Sequence, residues 1–234
     1  MGLLKERRIQ RDILQKALNA ISEAELQKIE KKWLSLLQYQ KDRKGKIHLT
    51  PKETDWLLEN SEFKLGDDFS WLPFSFLDDS GSFGGISFSF LDSISTRLGV
   101  SFKPVYGLSK SDVMKQIKNG SLDIIPAVIY SEDQAKFLDF SKPYYKVPVV
   151  VATRQNEALL SSLEDLSGKK VGVIKDSDIQ LRLSKHYSEI ELLELENLKS
   201  GISALDSNEI DALVENLASI RYEIVQTNNH NIKI

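Results

Sequence analysis

From Phe63 to the end of the chain, strand-like and helix-like stretches alternate, in two successive runs. No other feature narrows the fold as much. Strands separated by helices cannot pair as hairpins, so they line up as a mainly parallel sheet with helices on its faces. The first run reads as strands over 63–66, 74–77, 100–106 and 122–128, with helices over 86–98 and 109–119. Gly99 and Gly120 supply the left-handed stops for those helices, and Asp78-Asp79-Ser80-Gly81 has the composition of a turn. A strand over 147–153 follows. Leu163–Leu166 then opens the second run: strands at 170–174, 191–195 and 212–214, helices at 179–186, 198–207 and 217–226. Two runs divided near Tyr144–Arg154 imply two α/β lobes, 63–146 and 147–234.

The first 62 residues differ. Ile9, Ile13, Leu14, Ala17, Leu18 and Ile21 keep helical spacing, as do Leu26, Ile29, Trp33, Leu36 and Leu37, so 3–39 reads as two helices. Ser22 and Glu25 between them form a capping box, in which hydroxyl and carboxylate each satisfy a free backbone N–H. Thr50-Pro51-Lys52-Glu53 opens a third helix by the same device, with Pro where its missing N–H costs nothing. Residues 1–46 hold 12 basic and 6 acidic side chains, against 19 and 28 in the remainder. This shift in charge marks a boundary near 46, with Lys41–Lys46 as a solvated linker and 47–62 as a linker helix.

Several function classes drop out. A net charge of -3 gives phosphate backbones no basic face, so nucleic acid is not the expected partner. Without cysteine there is no disulfide, thiolate nucleophile or Cys-based zinc site. His48, His186 and His230 lack metal-ligand spacing. No nucleophile elbow occurs, and Gly81–Gly85 lacks the Lys-Ser/Thr that completes a phosphate loop. No apolar run reaches membrane-span length, and the first residues are not a signal peptide. The chain reads as a non-enzyme with no cofactor.

Six segments, in order, resemble the type II periplasmic solute-binding proteins of family 3, the polar amino-acid branch. Phe63–Phe74 is similar to that family's opening strand and ligand loop, with an aromatic-x-Pro-Phe after a glycine strand end. Gly81–Ile86 is similar to its entry into the first helix. Asn119–Asp123 resembles the Gly-x-hydrophobic-Asp step, Asp139–Tyr144 the Phe-Ser-x-Pro-Tyr approach to the hinge, Leu166–Val173 the opening of the second lobe, and Asn208–Ala212 a second Gly-x-hydrophobic-Asp-Ala step with Asn in place of Gly. The resemblance implies a two-lobed, Venus-flytrap fold that closes on a small molecule. Arg11–Ile21 and Leu26–Leu34 look like the last two helices of the same fold. Residues 1–46 then read either as the tail of a preceding module in a tandem array, leaving 63–146 an incomplete lobe, or as a segment that completes this lobe. Tandem modules and a Leu-Thr-Pro-x-Glu-x-x-Trp-Leu helix, here Leu49–Leu57, are similar to the sensing regions of BvgS-like histidine kinases. On that likeness the chain is a periplasmic sensor segment, with an adjacent binding module and downstream signalling domains as partners. A transporter-associated binding protein and an unliganded transmitting module are the alternatives.

The same likeness places Asp68, Trp71, Ala127, Tyr130, Gln134, Asp176, Ser177, Asp178 and Asn216 at the ligand. Two departures matter. Amino-acid binders carry Arg where Gln134 stands, to clamp a carboxylate, and Asp where Asn216 stands, to hold an ammonium. Ordinary α-amino acids are therefore expected to bind weakly. Asp176 and Asp178 stand at a helix start that would otherwise favour an anion, though plain N-capping accounts for them as well. An enzymatic reading would need its acid or base among Asp68, Asp176, Asp178 and Glu215.

Overall fold

A computed structural model describes residues 1–5, 7–33, 47–78, 81–158, 160 and 162–234. The expected linker Lys41–Lys46, the helix positions Leu36 and Leu37 and the turn residues Asp79 and Ser80 lie outside the described residues. The chain forms two compact units, Met1–Tyr145 and Lys146–Ile234.

In the first unit the elements are β1 (Gly2–Leu4), α1 (Arg8–Asn19), α2 (Glu23–Trp33), α3 (Pro51–Glu59), β2 (Glu62–Gly66), β3 (Ser70–Trp71), β4 (Ser75–Leu77), β5 (Phe83–Gly84), α4 (Ile86–Leu98), β6 (Ser101–Val105), α5 (Lys110–Lys118) and β7 (Leu138–Phe140). β2 pairs in parallel with β6 and, through Leu65, bridges Ile124. The strand expected over 122–128 is reduced to bridges at Ile124 and Ile125. Pro126 has no N–H to extend a ladder. Capping decides several helix limits. Thr50 accepts from the Glu53 amide in a complete capping box, Ser109 does the same with Asp112, and Gly99 closes α4 at φ 69°. The Ser22–Glu25 box is present too, and the Arg97 guanidinium joins it. That hydrogen bond, with those from Ser22, holds the Glu25 carboxyl down at about 2.

The N-terminal residues pack into this unit. Gly2–Leu4 is a strand, not the start of a helix: β1 pairs antiparallel with β7, and Gly2 bridges Ile125. Pairing with a strand more than 130 residues away overrides the local pattern. Leu3, Ile13, Leu14 and Ala17 are almost wholly buried. Arg7 pairs with Asp123, Arg11 with Asp139 at 2.7 Å, and Lys16 with Glu53. The described part of this segment is thus built into the hydrophobic and ionic structure of the first unit, where α1 and α2 lie against α4.

The second unit holds β8 (Val149–Arg154), β9 (Lys170–Ile174), α6 (Asp178–His186), β10 (Glu191–Leu195), α7 (Leu198–Asp206), β11 (Ala212–Asn216), α8 (Leu217–Thr227) and β12 (Ile232–Lys233). Its sheet runs β10-β9-β11-β8-β12. β10, β9 and β11 are parallel as the alternation implies, whereas β8 runs antiparallel to β11 and to its other neighbour β12, so the sheet is mixed. Successive strand residues point to opposite faces. Val171, Val173, Ala212 and Val214 accordingly join Leu183 and Ile190 on one face, and Leu213 joins Ile202, Leu205 and Ile220 on the other. Gly172 lets Ile210 and Leu195 close over the sheet: a β-carbon there would meet them at 2.6 and 2.7 Å.

The two units repeat one detail. Asp123 accepts the Lys64 amide at 2.7 Å, and Asp211 accepts the Lys170 amide at 2.9 Å. In each unit the Asp of the x-hydrophobic-Asp step clamps the neighbouring strand.

Candidate functional site

Parallel strands bring their carboxyl ends to a common edge, where α/β folds bind ligands. In the first unit, Leu65 and Ile124 are partners in a parallel bridge. Three residues beyond them stand Asp68 and Ala127. Topology therefore brings Asp68 and Trp71 to the same edge as Ala127 and Tyr130. Asp68 Oδ1 accepts from the Ser70 amide at 3.4 Å. Trp71 is half-buried with its ring 4.7 Å from Phe74. Tyr130 is exposed, its ring edge-on to Phe140 at 5.3 Å. Gln134 opens a short 3₁₀ turn, with its amide on Ser131 Oγ at 3.3 Å and its side-chain Oε1 buried without a hydrogen bond.

In the second unit, β9 and β11 are parallel and end at Ile174 and Asn216. Asp176, Ser177 and Asp178 follow the first, so with Asn216 they share that unit's carboxyl edge. Asp176 is left-handed at φ 56°, and its amide donates to Gln180 Oε1. Ser177 is the N-cap of α6 and accepts from the Gln180 amide at 3.1 Å, with Asp178 the first helical residue. Asn216 is buried and caps α8. Its Oδ1 accepts from the Ser219 amide at 2.8 Å, while its Nδ2 donates to Ser219 Oγ and Glu215 Oε1. Ser177 and Asn216 are thus engaged by their own helices.

A buried polar group beside the first unit's carboxyl edge has no counterpart in the sequence reading. Asp67 is 8% exposed, and its Oδ2 makes no hydrogen bond. Burial, reinforced by the adjacent Asp68 charge, pushes its carboxyl up to about 7 against the opposing pull of Ser75 and of the Phe69 amide that donates to it. Near it, Tyr144 bonds Ser87 at 2.8 Å and the Pro126 carbonyl at 2.9 Å, and burial raises its phenol. The only outward sign of this group was the Asp67-Asp68 doublet directly after a buried strand. Among the described residues no cluster of His, Asp and Glu is arranged to hold a metal ion, and no helix is long and apolar enough to cross a membrane.

The sequence profile of the bacterial extracellular solute-binding proteins, family 3, matches residues 63–215, more than half of the chain. The sensor protein EvgS of Escherichia coli K12 is 25% identical over 220 residues, 94% of this chain and 18% of EvgS. A probable histidine-binding protein of Campylobacter jejuni is 30% identical over 99 residues, 42% of this chain and 38% of that protein. The periplasmic VFT2 domain of Bordetella pertussis BvgS superposes with a TM-score of 0.69 at 21% identity, covering 80% of each chain, and so shares the two-lobed Venus-flytrap fold. The chain spans less than a fifth of EvgS and under half of the histidine-binding protein. On the match across residues 63–215, this chain belongs to family 3 of the bacterial extracellular solute-binding proteins.

Proposed function

We propose that this chain is the solute-sensing part of a periplasmic receptor, a non-catalytic module that binds a small molecule at the carboxyl edges of its strands and passes the bound state to signalling domains elsewhere in the full-length protein. One observation carries this reading over that of a transport protein. The likeness to EvgS runs through 94% of the chain, whereas that to the histidine-binding protein covers 42%. Closure of the lobes on the solute is the response that the family implies. Asp68, Trp71, Ala127, Tyr130 and Gln134 are the proposed contacts from the first unit. Asp176, Ser177, Asp178 and Asn216 are those from the second. Residues 1–33, packed against α4 and β7, act in this reading as the completion of the first lobe.

A thermal-shift screen of sugars, organic acids and amino acids tests the proposal, because a ligand of the folded state raises apparent stability. At least one class should raise the unfolding midpoint in a saturable way, and Trp71→Ala should abolish that rise. A well-folded chain that responds to no class favours a transmitting module without a ligand. The engagement of Asn216 in its own cap supports that second reading.

A further inference from the structure

We propose that the first unit carries a second small-molecule site, at the opposite end of β2 from the family's solute site, and that it takes a primary amine on a flat apolar body. The cavity measures about 360 Å³ and is lined by Arg7, Gln10, Trp56, Asn60, Glu62 and Asp123. Its volume lies within the range of small-molecule pockets. Glu62 and Phe63 begin β2, whereas Asp68 and Trp71 follow its end. At about 3.3 Å per residue, the four steps from Glu62 to Gly66 alone set the two edges roughly 13 Å apart.

The walls determine which chemistry fits. Arg7 and Asp123 neutralise each other. Arg7 also donates to the Gly120 carbonyl, and Asp123 accepts the Lys64 amide, so the pair forms a fixed, saturated side. Gln10 is only 4% exposed, yet its Oε1 makes no hydrogen bond. Buried acceptors are nearly always matched, and because Gln10 lines the cavity, a bound ammonium is the partner that the proposal assigns to this oxygen, reached by a small turn of the side chain. Glu62 supplies the remaining charge, for its ion pair with exposed Lys103 is long at 3.9 Å. Trp56, stacked on Phe63 at 6.0 Å and 23°, adds an aromatic wall that attracts cations and flat rings. An unmatched acceptor, a negative rim and an indole together suit an arylalkyl ammonium, and the satisfied Arg7 offers little to an anion. Because α1, α3 and β2 all contribute, a bound amine would fasten the N-terminal segment to the lobe.

The test is calorimetric titration of the whole chain with 2-phenylethylamine, and with phenylacetate as the same ring bearing the opposite charge. Saturable binding of the amine alone is expected, weakened at least about tenfold, or roughly 1.4 kcal/mol, by Gln10→Leu and by Glu62→Gln. Asp68→Asn and Trp71→Ala, at the family's edge, should leave it unchanged. Glu62 lies on the exposed rim, so its variant reports on the site even if Gln10→Leu perturbs folding. Absence of saturable heat with the amine at millimolar concentration would overturn the proposal. So would equal binding of phenylacetate, or loss of binding in the Asp68 and Trp71 variants but not in the Glu62 variant.

Discussion

Replacing Gly85 with alanine should destabilise the first unit by about 3 kcal/mol or more, a large share of an ordinary folding stability. Gly85 has φ 116° and ψ 172°, a region essentially closed to residues with a β-carbon. A β-carbon there would stand 2.3 Å from the Phe74 carbonyl oxygen and 2.9 Å from that of Pro73. Those oxygens cannot retreat cheaply, because they accept the Ser87 and Ile86 amides that start α4. Gly99 is the control. It is left-handed as well, at φ 69°, but nothing lies within 4 Å of its missing β-carbon. Gly99→Ala should therefore cost only the conformational term, about 1–2 kcal/mol. Urea unfolding of both variants measures the difference, and equal losses would show that the approach of Phe74 to Gly85 is not what holds the start of α4.

Asp67→Asn should stabilise the protein strongly at pH 8 and hardly at all at pH 4. Burial pushes the folded carboxyl up to about 7, well above the ordinary aspartate value of about 3.9. Its protonated form therefore favours the folded state. That contribution is complete below the unfolded pKa and disappears as the pH climbs through the folded one. That rise corresponds to at most about 4 kcal/mol, lost between roughly pH 4 and 7. Part of this is shared with Asp68, whose charge acts on the same titration. Asparagine cannot ionise, so the variant should lack the decline. Glu25, held at about 2, works in the opposite sense, its stabilisation fading only in acid. It is common to both proteins and cancels from the comparison. A stability difference that stays flat from pH 4 to pH 8 would contradict the buried, reluctant ionisation of Asp67.

Much of the fold was legible because its signals are local. α4 spans the expected Ile86–Leu98, and β9 and β10 span the expected 170–174 and 191–195. Thr50 and Ser22 cap where the sequence places their boxes, and Ser109, expected inside its helix, is instead the cap before it. What failed depends on distant partners. β1 is strand because β7 is there to receive it, and nothing in Gly2-Leu3-Leu4 reveals that. The antiparallel course of β8, between β11 and β12, is likewise decided by the sheet and not by the segment itself. Site residues divide in the same way. Ser177 and Asn216 have the chemistry of helix caps, and the structure shows both as caps. Asp67 was missed because its burial is set by tertiary packing around a turn. Gln10 left a fainter trace, since it shares the helical spacing of Ile13, Leu14 and Ala17 and so stands on the buried face of α1.

Central to the proposed function is a solute-binding module that carries Gln134 and Asn216 where, by the family resemblance, amino-acid binders carry an Arg and an Asp. Calorimetric titration with arginine, glutamine and histidine tests it most directly. No saturation is predicted at micromolar concentration for the chain as it stands, and measurable affinity for at least one of the three should appear in Gln134→Arg/Asn216→Asp. Micromolar binding of any of them by the unsubstituted chain would contradict the account.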